Sequence, residues 1–293
     1  MSYNFYFLNL NQTKELFSLF KRHNIDAMFV GGCVRDCLLG TIPNDLDIAV
    51  NRDINTVSKI LTNNGYKVIE TGLKYGSISA IIHGKIFEIT SLRSDTNCDG
   101  RACDIKTISN FKEDSKRRDF TSNAIYLSID GKIFDFHNGI EDLVNRRVIF
   151  IGDPEKRIKE DYLRIFRYYR FCAKHGDLSH RYSKEIKMNV AGIHKLAIER
   201  IQHELLLILN QPFHLEVLSF MKKDGIFKDL SINIYKNLLN IETNPCIELK
   251  LYILFKLEYL QSYFKLSKKI MKKIKRFESY KLKSFLDSMF IKN

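Results

Sequence analysis

Near the N-terminus apolar residues recur at helical spacing, with Leu16, Phe17, Leu19 and Phe20 predicting one face of an amphipathic helix. The period then changes. Ala27–Val30 is a short apolar run closed by Gly31-Gly32, which predicts a strand, and residues 34–39 predict a helix opening on those glycines. Residues 45–50 alternate and predict a second strand. Residues 66–70, 79–82 and 85–90 predict three more, the last antiparallel, with Gly72, Gly76 and Gly84 as punctuation. Strand-like patterning stops near Phe150. From Pro154 onward nearly everything follows helical period, and only Pro212 intervenes before Pro245. Leu205, Leu206, Leu207 and Leu209 predict a helix buried on several sides. Residues 265–283 predict a basic amphipathic helix, with Ile270, Ile274 and Phe277 on its apolar side. No repeat or low-complexity linker interrupts this plan of an α/β head and an all-helical body.

Charge changes the picture more than composition does. Forty-seven Lys and Arg against 34 Asp and Glu give a formal charge of +13, which favours a polyanionic partner, nucleic acid or an anionic membrane surface. A Lys-, Asn- and Ile-rich composition without Trp is the plainer source of the same charge. No run approaches the roughly 18 apolar residues of a spanning helix, and Met1-Ser2-Tyr3-Asn4 does not open a secretion signal. The expected location is therefore cytoplasmic, with no membrane association and no protein partner to be inferred. The six cysteines, Cys33, Cys37, Cys98, Cys103, Cys172 and Cys246, form no C-x-x-C pair. The histidines form no H-E-x-x-H, so free thiols and no structural zinc are expected.

The richest stretch runs from Phe29 through Gly31-Gly32, Arg35 and Gly40 to Asp45-Leu46-Asp47. A strand that ends in two glycines and opens a helix lets backbone N–H groups approach a phosphate, with Arg35 one turn in to reach the same anion. A tight strand–helix connection is the ordinary alternative. Residues i and i+2 of a strand share a face, so Asp45 and Asp47 are expected to converge. Two repelling acids there call for a cation, and Mg²⁺ held by carboxylates and substrate phosphates is the natural one. Glu88 is a possible third acid, or a solvated strand residue. Downstream, the cluster from Asp114 through Lys116-Arg117-Arg118-Asp119 to Asn123-Ala124 sets three consecutive cations beside an acid and an Asn, and reads by itself as a solvated charge run. Asp161, Arg164, Arg167 and Arg170 recur every three residues on a predicted helix. They form either an exposed salt-bridge ladder or a recognition edge, in which Asp161 accepts from an exocyclic amino group and Arg164 donates to ring acceptors.

In order, these clusters resemble the class II tRNA nucleotidyltransferases, the CCA-adding enzymes and their bacterial poly(A) polymerase relatives. Gly31-Gly32-x-Val34-Arg35-Asp36 with Asp45-x-Asp47 resembles the first family motif, and Arg117-Arg118-Asp119-Phe120-Thr121-Ser122-Asn123-Ala124 the second. The stretch from Asp135 through Gly139 to Asp142-Leu143 resembles the hinge motif. Glu160-Asp161-x-x-Arg164 resembles the nucleotide-selecting motif, and Glu199-Arg200-Ile201-x-x-Glu204-Leu205 the last helical one. The resemblance covers Phe29 to Leu209. It departs at Asn44, where a basic residue is usual, and at Ser122, where an apolar one is. The helical region after Leu209 is also shorter than is common in the family.

The resemblance implies an α+β chain. A polymerase-β-like nucleotidyltransferase head over residues 1–135 precedes a helical neck for base selection over 136–205. A shortened helical body and tail over 206–293 is assigned to tRNA binding. It further implies that Asp45 and Asp47 hold two Mg²⁺ ions, and that Gly32, Arg35 and Arg118 hold the triphosphate. Asp161 and Arg164 pair with CTP or ATP, and Arg167 and Arg170 complete the pocket. The reaction implied is template-independent addition of C, C and A to the tRNA 3′ end with release of pyrophosphate. The polar stretch 93–106 with Gly100 resembles a flexible loop that CC-adding relatives lack. Lys268, Lys269, Lys272 and Lys273 are the candidates for gripping tRNA. Poly(A) polymerase, an A-adding member of a split pair, and a non-catalytic RNA-binding protein are the alternative readings.

Overall fold

The computed structural model describes residues 3–96, 99–100, 104–227, 246–255 and 266–279. Cys98 and Cys103 lie outside them. The chain divides into two compact units, Met1–Glu160 and Asp161–Asn293. Among the described residues no helix is long and apolar enough to cross a membrane.

The first unit is built on a mixed seven-stranded sheet. Its strands are β1 (Ala27–Val30), β2 (Asp47–Val50), β3 (Lys67–Ile69), β4 (Ser77–Ile82), β5 (Lys85–Ser91), β8 (Ile125–Leu127) and β9 (Ile133–Asp135), in spatial order β3-β4-β5-β2-β1-β8-β9. All neighbours are antiparallel except β2 and β5, which run parallel with Asp47 opposite Glu88. The predicted antiparallel strand 85–90 is therefore antiparallel only to β4. One face of the sheet is covered by α1 (Asn11–Arg22), α2 (Gly32–Leu38) and α3 (Ile54–Asn63). Phe29 lies there fully buried, its ring 4.5 Å from that of Phe7 and 5.1 Å from that of Phe17. Each such ring contributes roughly 1.5–3 kcal/mol by leaving water.

The other face is covered only in part. Val30, Ala49, Leu92 and Tyr126 cluster there with Phe111, Phe134 and Phe136. Because strand side chains alternate, Asp47 shares this face with Ala49. The reading of 45–50 as one strand is corrected at its start: β2 begins at Asp47, and Asp45 stands in the bend before it. The stretch 93–106 carries a two-stranded ribbon, β6 (Arg93–Thr96) and β7 (Asp104–Thr107), where a polar loop was expected.

Beyond the ribbon, α4 (Phe111–Lys116) starts at Asn110, whose side chain accepts from the Lys112 and Glu113 amides. Asp135 accepts from the amides of Gly139 (2.8 Å) and Ile140 (2.9 Å) at the start of α5 (Gly139–Val144). A Cβ on Gly139 would stand 2.3 Å from the Thr121 carbonyl oxygen, so only glycine allows this approach. α6 (Pro154–Glu160) closes the unit, its Arg157 donating to the carbonyls of Arg117 and Arg118.

The second unit packs α7 (Leu163–His175) against α9 (Ile198–Leu209) and α10 (His214–Lys223), with α8 (Ser183–Asn189) alongside. Buried Asp224 accepts from Tyr169 on α7 and from Ser183 on α8 (2.7 Å), and pairs with His180 (2.6 Å). Helix Ile247–Leu254 follows, and its Lys250 donates to the carbonyl of Leu209 at the end of α9. Helix Lys268–Ser279 packs on it through buried Ile274. Residues 280–283 of the predicted basic helix, and the Phe277 side chain, lie outside the described residues.

Candidate active site

Gly31 has φ +74°, which disfavours any side chain, and that conformation turns the chain out of β1 directly into α2. Four groups surround this turn. A Cβ built on Gly32 would stand 3.7 Å from Asp47 Oδ2 and 3.8 Å from Arg35 Nη2. One on Gly31 would stand 3.7 Å from Arg118 Nη1 and 3.5 Å from the Asn123 carbonyl oxygen. The structure thus brings the predicted Gly32, Arg35, Asp47 and Arg118 to one place.

The acids form the other half of the site. Burial pushes the Asp47 carboxyl up to about 6. The Arg118 charge opposes that rise, Asp45 and Glu88 add to it, and Arg35 opposes it. A carboxylate with two acidic neighbours and a partly buried position ionises most readily beside a cation. Asp45 is exposed, and Glu88 accepts from Ser79 Oγ at 2.9 Å across the β4–β5 pair. Among the described residues no group of three His, Cys, Asp or Glu forms a closed metal cage. Two aspartates at the rim of a sheet fit a cation of the magnesium kind, which takes its remaining oxygens from phosphate and water. Neighbouring Cys33 is inert: burial pushes its thiol up to about 12, and it donates to the carbonyls of Val30 and Asp47.

Each arginine is aimed by acids or amides. Arg35 is buried, with Nε 2.9 Å and Nη2 2.8 Å from Asp36 Oδ1, while its Nη1 donates to Asn123 Oδ1. Asn123 in turn donates to Asp119 Oδ1 at 2.9 Å. Arg118 donates through Nε and Nη2 to Asp114 Oδ2, at 3.3 and 3.1 Å, and its guanidinium lies 5.2 Å from the Tyr126 ring centroid. Burial alone would raise the Asp114 carboxyl. The charges of Arg118 and Arg117, with donation from Tyr126 and the Arg93 amide, hold it below the usual carboxylate range. Of the run read as solvated charge, Arg117 and Arg118 therefore fold onto buried Asp114, while Lys116 alone of the three cations is exposed. From the sequence, Asp114, Asp119 and Asn123 carry no role beyond their place in the cluster and Tyr126 is not singled out, although Asp114 sits at i−3 and i−4 from its two arginines.

In the second unit, Asp161 is not on the helix that carries the arginines, as its spacing had predicted. Helix α7 begins at Leu163 after Tyr162, and Asp161 precedes it, its Oδ1 accepting from the Leu163 amide at 3.1 Å. Its Oδ2 accepts from Arg200 Nη2 on α9 at 2.9 Å. Arg164 is buried, 8% exposed. Arg170 Nε donates to buried Glu204 at 2.7 Å, and Arg167 Nη1 lies 3.9 Å from the same carboxylate. Arg200 thus holds Asp161, and Glu204 holds Arg167 and Arg170, from α9. Of the four candidate lysines, Lys268, Lys269 and Lys272 are exposed, whereas Lys273 pairs with Glu248 at 2.9 Å.

Residues 27–149 match the family described as the Poly A polymerase head domain. The chain is 39% identical over 209 residues to human CCA tRNA nucleotidyltransferase 1, mitochondrial, covering 69% of this chain and 48% of the human protein. It is 38% identical to the CCA-adding enzyme of Lactobacillus helveticus, over 61% of this chain and 45% of that protein. The chain thus spans about half the length of the curated relatives it matches. The crystal structure of the Bacillus stearothermophilus CCA-adding enzyme in complex with CTP superposes with a TM-score of 0.77 at 28% identity. That match covers 93% of this chain and 70% of the bacillary one.

Proposed function

We propose that the chain is a CCA-adding tRNA nucleotidyltransferase, which extends the tRNA 3′ end with C, C and A from CTP and ATP without a nucleic-acid template. The observation that carries this reading is the convergence of Asp47, Arg35 and Arg118 on the Gly31-Gly32 turn. Similarity to CCA-adding enzymes from human, Lactobacillus and Bacillus supports it. The 3′-hydroxyl oxygen forms a bond to the α-phosphorus, the bond to the bridging oxygen breaks, and pyrophosphate leaves with that electron pair. The hydroxyl proton passes to water. Arg118 and Arg35 orient the triphosphate and offset its charge, and fixed donors of this kind lower a barrier without reorganising during the reaction. Asp45 and Asp47 would hold Mg²⁺, which when bound supplies Lewis-acid neutralisation of phosphate charge.

Asp161 offers a carboxylate to the exocyclic amino group that C and A share, and Arg164 donates to their ring acceptors. Lys268, Lys269 and Lys272 supply phosphate contacts for tRNA. Three buried free thiols fit a reducing compartment such as the cytoplasm. The deciding assay supplies purified protein, Mg²⁺ and tRNA lacking its CCA end with each nucleotide alone and then CTP plus ATP. Addition that stops at CCA is expected. A poly(A) ladder, A addition only to tRNA that already ends in CC, or no addition would each overturn the reading.

A further inference from the structure

We propose that Asp114 is a positioning residue that aims Arg118 at the glycine turn and ties it to the root of the β6–β7 ribbon. On this proposal, holding a nucleotide's phosphates and ordering the ribbon are one coupled event. The nature of the ligand rests on the nucleotidyl-transfer reading above.

The Asp114 side chain is fully buried and gathers donors from three separate segments. Oδ1 accepts from Arg117 Nε at 2.8 Å and from the Arg93 backbone amide at 3.1 Å. Oδ2 accepts from Arg118 and from the Tyr126 hydroxyl, the latter at 2.7 Å. Arg118 Nε also lies 3.0 Å from that hydroxyl. These bonds occupy the Nε and Nη2 edge of the guanidinium and leave Nη1 as the nitrogen facing Gly31. A carboxylate that grips one edge of a planar fork fixes where the other edge points. The Arg93 amide is the first of β6, and the Arg93 side chain donates to the Tyr75 carbonyl, so the ribbon's root is held on both sides. Where the ribbon returns to the sheet, the Ile108 amide donates to the Leu92 carbonyl at 3.0 Å. One buried acid therefore bonds both the ribbon and the phosphate-side arginine.

Charge and positioning predict opposite outcomes. If Asp114 acted only as a nearby negative charge, removing that charge would tighten anion binding. If it positions Arg118, removal loosens the guanidinium and weakens binding. The test titrates the full chain with inorganic pyrophosphate and with CTP in Mg²⁺, without tRNA, and follows hydrogen exchange of the amides of residues 93–96 and 104–107. In the wild type, both ligands are expected to bind and to slow ribbon exchange. Asp114→Asn is expected to weaken pyrophosphate binding by about tenfold, the size of one missing charge-assisted hydrogen bond, and to abolish the ligand-dependent slowing. Tyr126→Phe keeps the core volume and is expected to shift both readouts the same way by less, so it carries the test if Asp114→Asn does not fold. Variants that bind pyrophosphate as well as or better than wild type, or that keep the slowing, overturn the proposal. A wild type that binds neither ligand overturns both the coupling and the nucleotidyl-transfer reading, which separates the two failures.

Discussion

Arg200 Nη2 stands 2.9 Å from Asp161 Oδ2, an ion pair between a residue two positions before α7 and the first turn of α9. Both side chains are partly exposed, so the pair adds little to stability. Its value is directional. With Oδ1 accepting from the Leu163 amide as well, the carboxylate is held by a donor on each oxygen.

Asp161→Ala is therefore expected to relax base choice. U and G present an oxygen where C and A present an amino group, so against an ionised acid they leave two lone pairs facing each other. The ratio of kcat/KM for CTP over UTP should fall by roughly ten- to a hundredfold, measured with all four nucleotides on tRNA lacking its 3′ end. Arg200→Ala should move the same ratio by less. Equal slowing with all four nucleotides, and unchanged discrimination, would make Asp161 a structural acid only.

Replacing either Asp45 or Asp47 by Ala should reduce nucleotide addition by about 10³-fold or more, because Lewis-acid help of several kcal/mol is withdrawn. tRNA binding, followed by gel shift, should stay within a few fold of wild type. Near-wild-type turnover by either variant would remove the assignment.

Asp47 also makes a stability prediction. Its folded value of about 6 lies above the ordinary 3.8, so the native state binds this proton more tightly than the unfolded chain does. The resulting stability is complete below the ordinary value and is lost as pH rises through about 6. In chelator at pH 7, Asp47→Asn should raise the Tm, by an amount on the order of 1–3 kcal/mol in stability. The gain should vanish near pH 4, and Mg²⁺ should stabilise the wild type more than the variant. A lower Tm for the variant at pH 7 would contradict the acid cluster.

The lysines of helix Lys268–Ser279 are separable. Replacing Lys268, Lys269 and Lys272 together should flatten the salt dependence of tRNA binding by up to roughly 0.7–0.9 log units for each phosphate that is no longer neutralised, with the KM for CTP hardly moved. Lys273→Ala should act first on folding, because it breaks the pair with Glu248, although a pair this exposed adds little. An unchanged slope in the triple variant would mean that this helix face meets only solvent.

What was legible in the sequence was what is local. The β1 strand, the glycine turn and the neighbouring aspartates are separated by few residues, and turn chemistry with alternation locates them. Three things were hidden for physical reasons. Strands β8 and β9 have three residues each, too few for a period to register. The β6–β7 ribbon carries Ile105 as its single apolar residue, so no apolar alternation marks it. Asp161 was placed on a helix because i,i+3 spacing continues across its start, and Tyr162 offers no side-chain cap to mark the break. The deeper miss was the role of Asp114. A cationic run beside an acid has the same sequence whether it faces water or folds onto Tyr126, and only the return of β8 to the sheet decides which.

The parallel pairing of β2 with β5 has a kinetic consequence. An antiparallel neighbour can zip from a tight turn, but Asp47 and Glu88 meet only after the chain has travelled through α3, β3 and β4 and come back in register. Loop closure of that length must be completed before the pairing yields anything, which makes such pairings slow and late. During refolding, the acid cluster should therefore mature after the β4–β5 hairpin. A divalent ion added to the unfolded chain would meet Asp45 and Asp47 without Glu88 beside them, and its full grip should appear only in the last phase, as a reporter that the sheet has closed.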